Sequence, residues 1–272
     1  MTYFIKELIH HLKTDPILDW AATLAYYFML SIFPFMIFII ALIPYFHLDV
    51  GQVQAFILDY VPEELAELFT TTIIEVISEP KGGLLSFGIL ATIWAASNGL
   101  NALIRAVNRS YKIEETRNFF LLRLVSMMMT IGMILVIVVT LLLPVFGDII
   151  IHTIEGLLFI TPETIDLLHK LRWIVGIGMM TFFLMLLYLI APNVKLKLKQ
   201  VIIGAITATV GWQIISFVFS TYVSNFGNFT ATYGSLGGVI ILMLWFFLTG
   251  LMLVIGGEIN AILYHQKQQQ NR

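Results

Sequence analysis

Four groups of polar residues interrupt the apolar runs of this 272-residue chain, and three of them repeat with the spacing of a single helical face. Asn98, Asn101, Arg105 and Asn108 stand three, four and three apart. Thr209, Gln213, Ser216 and Ser220 stand four, three and four apart. Asp19, Thr23 and Tyr26 line up likewise, with Tyr27 and Ser31 nearby, while Glu258 and Asn260 come just after Gly256-Gly257. Polar groups in apolar surroundings are costly unless they face a helix bundle or a water-filled space. The chemistry they offer is solvation, either of a solute, ion or lipid passing through a cavity or of a neighbouring helix.

Each group has two readings. Arg105 has two candidate carboxylate partners near its own depth, Glu258 and Asp19, since an unpaired charge at the edge of hydrocarbon is expensive. Alternatively Arg105 snorkels to lipid phosphate and Glu258 faces water. The hydroxyl and amide stripe around Gln213 either lines a path or glues helices, at roughly 0.6 kcal/mol per contact. Gly204, Ala208 and Gly211 beside it suit close helix packing. The turn from Asn225 to Gly238 is polar, aromatic and glycine-rich. Its residues Asn228, Thr230, Thr232 and Tyr233 either contact a ligand or belong to a tight, packed turn.

The elements that must carry these residues are membrane spans. Hydrophobic residues make up 59% and charged residues 12% of the chain, with a mean hydropathy of +0.91. Soluble domains carry about a quarter charged residues. A helix crosses the bilayer core with about 20 apolar residues, and such runs recur at 16–45, 84–107, 119–146, 174–191, 201–223 and 236–263. The expected fold is all-α, a single membrane domain of six transmembrane helices. Pro34 inside the first span predicts a kink near Leu30–Pro34. Residues 1–15 read as an amphipathic interfacial helix, and 48–80 and 148–169 as helical inserts on the opposite side.

Twelve of the 15 Lys and Arg residues fall on one side of this arrangement. That side is expected to be cytoplasmic and to hold both termini. The other side holds only Lys81, Lys170 and Arg172 and carries eleven of the 17 acids. Those acids are either the solvated faces of surface helices or a vestibule that concentrates cations.

The residue inventory argues against an enzyme. There is no cysteine, so thiol chemistry and Cys-ligated zinc are excluded. A metal-dependent nuclease needs clustered carboxylates or histidines. The acids on the basic side, Glu7, Asp15, Asp19, Glu114, Glu115 and Glu258, are scattered over separate elements. His10 and His11 are adjacent on a helix and point in different directions. No P-loop, nucleophile elbow, HExxH or GxGxxG pattern occurs. No catalytic residue, metal ligand, cofactor or nucleic-acid partner is expected.

Three segments carry a family resemblance: Ala21 to Leu42 (AATLAYYFMLSIFPFMIFIIAL), Trp94 to Phe120 (WAASNGLNALIRAVNRSYKIEETRNFF) and Phe229 to Ala261 (FTATYGSLGGVIILMLWFFLTGLMLVIGGEINA). In this order they resemble the YihY/virulence factor BrkB family over nearly the whole chain. The resemblance implies a six-helix protein of the bacterial inner membrane, in a group formerly labelled ribonuclease BN, and brings no accepted catalytic residues. The function expected first is transport or translocation of a small solute, ion or lipid through a cavity lined by Asp19, Tyr26, Asn98, Asn101, Arg105, Asn108, Thr209, Gln213, Ser216, Glu258 and Asn260. A non-transporting membrane scaffold is the alternative, and a membrane ribonuclease the third. The sequence leaves the substrate, any coupling ion and the oligomeric state open.

Overall fold

The computed structural model describes Glu7 and residues 14–46, 81–157, 162–226 and 236–270. Among them every regular element is helical: α1 (Ile17–Leu42), a 3-10 turn (Ile43–Phe46), α2 (Gly82–Ser110), α3 (Phe119–Leu157), α4 (Pro162–Ile190), α5 (Leu198–Phe226) and α6 (Leu236–Gln270). Five stretches are long and apolar enough to cross a membrane: Ile17–Leu42, Gly82–Ser110, Phe119–Val138, Leu198–Asn225 and Leu236–Gln269. Within α4, Ile174–Ile190 forms a shorter apolar helix. Large apolar side chains point outward along these helices, with Phe217 74%, Ile174 64% and Leu135 60% exposed. Surface of that kind is stable against hydrocarbon, not water. The chain is therefore a polytopic all-α membrane protein.

The segment 148–169 is helical, but as extensions of its neighbours. α3 continues to Leu157 and α4 begins at Pro162. The 48–80 insert lies outside the described residues, as does the 1–15 helix apart from Glu7, Thr14 and Asp15.

Helix ends at the basic side are closed by local chemistry. Pro16 stands before the first turn of α1, where a missing N–H costs no bond, and its carbonyl accepts from Trp20 N at 3.0 Å. Asn118 Oδ1 caps α3 by accepting from Leu121 N at 2.8 Å. Gln200 Oε1 reaches back to Lys197 N at 2.7 Å at the start of α5. α2 ends in a Schellman turn, in which Ile113 N donates to Asn108 O and Lys112 N to Arg109 O, both at 2.9 Å. Lys112 holds the left-handed position there, with φ 55°.

Residues 28–96 form one compact unit, and residues 1–27 with 97–272 form another. In the first, Gly88 lets two backbones meet: a Cβ there would lie 2.8 Å from Phe38 N and Cα. In the second, α5 and α6 cross at Gly204 and Gly256. A Cβ on Gly204 would strike Gly256 O and the Asn260 amide, and one on Gly256 would strike the Tyr188 hydroxyl. The contact is small-residue packing of the kind membrane helices use in place of hydrophobic exclusion.

Candidate functional site

The candidate site lies in the larger unit, where the last turn of α2, its following loop, the α4–α5 connection and the C-terminal half of α6 converge. Its rim is a staple between two loops. Arg117 grips Glu115 through Nε to Oε1 at 2.7 Å and Nη2 to Oε2 at 2.6 Å. The same guanidinium donates to Ala191 O at 2.7 Å and Ile190 O at 3.2 Å, closing the end of α4. A cation is favoured there by the helix dipole. Asn108 Oδ1 accepts from Asn193 N at 2.7 Å, while its Nδ2 donates to Glu115 Oε2 at 2.8 Å. Asn193 Nδ2 in turn donates to Thr116 Oγ1 at 2.7 Å and Glu114 O at 3.1 Å. Burial alone would raise the Glu115 carboxyl, but hydrogen bonds and charge from Arg117, with Asn108, outweigh it and hold the group below the ordinary glutamate range.

Beneath the rim, Glu258 is 3% exposed and Ser110 Oγ stands 2.6 Å from its Oε1. Tyr111, next to Ser110, is buried with its ring 5.4 Å from that of Tyr264. Its hydroxyl has no hydrogen-bond partner among the described residues. Burial first, and Tyr264 second, push this phenol above its ordinary range, so it is a neutral donor at physiological pH. Two residues along α6 from Glu258, Asn260 Oδ1 accepts from Gly204 N at 2.8 Å, and on the other side, deeper in the bundle, the Tyr188 hydroxyl donates to Leu253 O at 2.7 Å.

A cleft of about 510 Å³ opens over this layer. Among the described residues it is lined by Asp15, Arg105, Asn108, Arg109, Ser110, Lys112, Ile113, Glu114 and Glu115. Ser110 thus belongs both to the cleft and to the buried carboxylate's hydrogen bonds.

The comparisons with known proteins cover this whole region. The family model described as virulence factor BrkB matches residues 8–272. The chain belongs to the virulence factor BrkB family. Among its relatives is YfkH of Bacillus subtilis (strain 168), whose name calls it ribonuclease-like, at 43% identity across 97% of this chain and 96% of that protein. The UPF0761 membrane protein PBPRA3489 of Photobacterium profundum is 25% identical, over 98% of this chain and 82% of its own. A UPF0761 membrane protein of Vibrio vulnificus is 27% identical, over 96% and 82%. No solved structure matches the chain.

In this BrkB-family chain the polar residues singled out by spacing fall into three sets. Arg105, Asn108 and, through Ser110, Glu258 belong to the cleft and its floor. Arg105 is exposed and donates through Nη1 to Asn101 Oδ1 at 3.0 Å. It forms no ion pair with Glu258 or Asp19 among the described residues. The reason is rotational: Val107 packs on Gly257 of α6, and two residues back is about 200° round the helix. A second set is spent on packing. Asn98 Oδ1 accepts from Arg123 at 2.7 Å, joining α2 to α3. Thr209 donates to Ala205 O at 2.9 Å and meets the Thr181 hydroxyl at 3.2 Å. Asn260 ties α6 to α5. Gln213 is half-buried, and the buried Ser216 hydroxyl has no partner among the described residues. The third set, Asp19 and Tyr26, is exposed on α1. Asn228, Thr230, Thr232 and Tyr233 lie outside the described residues.

No helical spacing in the sequence marks Ser110, Glu115, Arg117 or Asn193. Three of them sit in loops, where no period marks a face. The available signal for Asn193 was its position just after Pro192, which stops α4.

Proposed function

We propose that this BrkB-family protein moves a small solute, ion or lipid across the bacterial plasma membrane, with both termini on the cytoplasmic side, and that it is not an enzyme. The supporting observation is Glu258. A carboxyl group 3% exposed within a membrane helix is expensive to keep, and such residues mark substrate or proton paths. This one is reached from the cleft through Ser110, 2.6 Å away. The excess of Lys and Arg on the cleft side supports the orientation.

The test is flux in proteoliposomes, assayed for protons, small solutes and headgroup-labelled lipid, with the parent chain and E258Q. Glutamine keeps an oxygen for Ser110 but removes the ionisable group. The expected result is flux that the parent supports and E258Q loses while remaining folded. No flux above empty vesicles for any substrate, or identical flux in E258Q, counts against the reading.

The scaffold reading has one observation in its favour. The Thr209 hydroxyl and the Trp212 indole, bonded to Thr249 at 3.1 Å, are spent on holding α4, α5 and α6 together. Under that reading E258Q changes partner crosslinking and no flux is ever seen. The name carried by YfkH supplies a third arm, RNA cleavage by purified protein with Mg²⁺, Mn²⁺ or Zn²⁺. Cleavage there would displace both readings.

A further inference from the structure

We propose that the cleft at the end of α2 is a binding site for a phosphate-bearing anion, held by Arg105, Arg109 and Lys112. The inference deepens the translocation reading by naming a ligand class. Its binding is measurable without any transport.

The charges around the cleft are unequally engaged. Both oxygens of Glu115 are already engaged, Oε1 by Arg117 N and Nε and Oε2 by Arg117 Nη2 and Asn108 Nδ2. Glu115 therefore brings no free acceptor to the cleft. The cations are used differently. Among the described residues, the Arg109 guanidinium and the Lys112 ammonium form no hydrogen bond or ion pair, and Arg105 donates only to a neutral amide. Among the described residues, three cations thus line the cleft with no carboxylate bonded to any of them, and they outnumber its two other carboxylates, Asp15 and Glu114.

Nor are they needed to close the helix. The carbonyls at the end of α2 are already taken: Ala106 O by Ser110 Oγ at 3.0 Å, Val107 O by Tyr111 N at 3.0 Å, and Asn108 O and Arg109 O by the Schellman turn. Arg105 and Arg109, four apart, share a helix face, and the left-handed turn at Lys112 brings a third cation to the same cleft. Forked guanidiniums beside a compact ammonium make up the donor set that recognises phosphate oxygens. A cleft of about 510 Å³ has the size of sites that hold small molecules rather than a bare ion. The ligand is accordingly a phosphate ester, supplied either by a lipid headgroup at the membrane surface or by a free phosphate compound.

The experiment uses the full chain in detergent. Inorganic phosphate and glycerol phosphate are titrated by calorimetry, and retention of phosphatidylglycerol against phosphatidylcholine is read by native mass spectrometry. The variants are R109Q and K112E, both at exposed positions. A triple K195Q/K197Q/K199Q, at exposed lysines of the α4–α5 connection and α5, is the control. Saturable binding weakened at least about tenfold by R109Q and by K112E, and unchanged in the control, is expected from loss of charged hydrogen bonds. Phosphatidylglycerol retained and then displaced by phosphate identifies a lipid headgroup. Phosphate binding without lipid retention identifies a free ester, and either supports the site. No saturable binding of any probe, or equal loss in the control, overturns it. Absent binding with intact flux removes this site alone, whereas binding without flux removes the translocation reading alone. Circular dichroism and size exclusion confirm that R109Q and K112E are folded.

Discussion

The Ser110 hydroxyl stands 2.6 Å from Glu258 Oε1 and 3.0 Å from Ala106 O, latching the last turn of α2 to a carboxyl group buried in α6. One hydroxyl proton serves one acceptor at a time, and the shorter of the two contacts, to Glu258, is the one that joins the two helices. Ser110→Ala takes one polar neighbour from a group that water does not reach. The expected cost is about 1–3 kcal/mol, the penalty for under-satisfying a buried polar group. Thermal unfolding in detergent should show a lower Tm for S110A and a near-parent value for S110T. Equal Tm in all three would mean that the latch contributes nothing.

Gly204→Ala should be among the most damaging changes to the fold. The added methyl would fall on Gly256 O and on the Asn260 side chain, and the Gly204 N–H bond to Asn260 Oδ1 would be pushed apart. Overpacking of a close-packed site costs about 1–3 kcal/mol, more where backbone must move. Gly238→Ala is the matched control, since nothing lies within 4 Å of a Cβ there. The expected outcome is a marked loss of folded protein on size exclusion for G204A alone.

These two sites also show what could be read from residue order and what could not. Counting along the helices placed Glu258 and Arg105 at a common depth, because rise per residue is constant. It could not say that Val107 turns toward Gly257 and carries Arg105 away, since helix rotation is decided by packing partners. Likewise the spans were legible as apolar runs, but Asp148, Glu155, Glu163 and Asp166 read as separate surface helices between α3 and α4. The backbone instead continues as helix beyond the apolar stretch on both sides. The Glu115–Arg117–Asn193 staple is built in two loops, where hydrophobic periodicity carries no information.

The staple predicts a specific acid sensitivity. The Glu115 pKa is lowered in the fold, so its stabilising contribution is fully present above the unfolded value of about 4.3. It is lost as pH falls through the lowered folded value. Arg117→Ala removes the ion pair and leaves Ile190 O and Ala191 O without its donors. R117A should therefore unfold at lower temperature than the parent throughout pH 5–8. The gap should narrow as pH falls into the acid range, because Glu115 protonates first in R117A, without its guanidinium partner, and only at lower pH in the parent. Melts of parent, R117A and E115Q across pH 3–8 check this. A gap independent of pH would assign the effect of R117A to the α4 carbonyls alone.

Lys112→Gly should separate stability from binding. Lys112 occupies the left-handed position of the Schellman turn at φ 55°, a conformation that costs a side-chain-bearing residue roughly 1–2 kcal/mol. Glycine removes that cost but gives back roughly 0.5–1 kcal/mol as greater freedom in the unfolded chain. The net expectation is a gain of about 0.5–1 kcal/mol and a slightly higher Tm. The same substitution deletes a cation from the cleft, so phosphate affinity should fall while stability rises. Thermal melts and phosphate titration on one preparation of K112G provide both readouts. A variant that is more stable and binds phosphate as tightly as the parent would show that Lys112 is a turn residue only, leaving Arg105 and Arg109 to carry the anion.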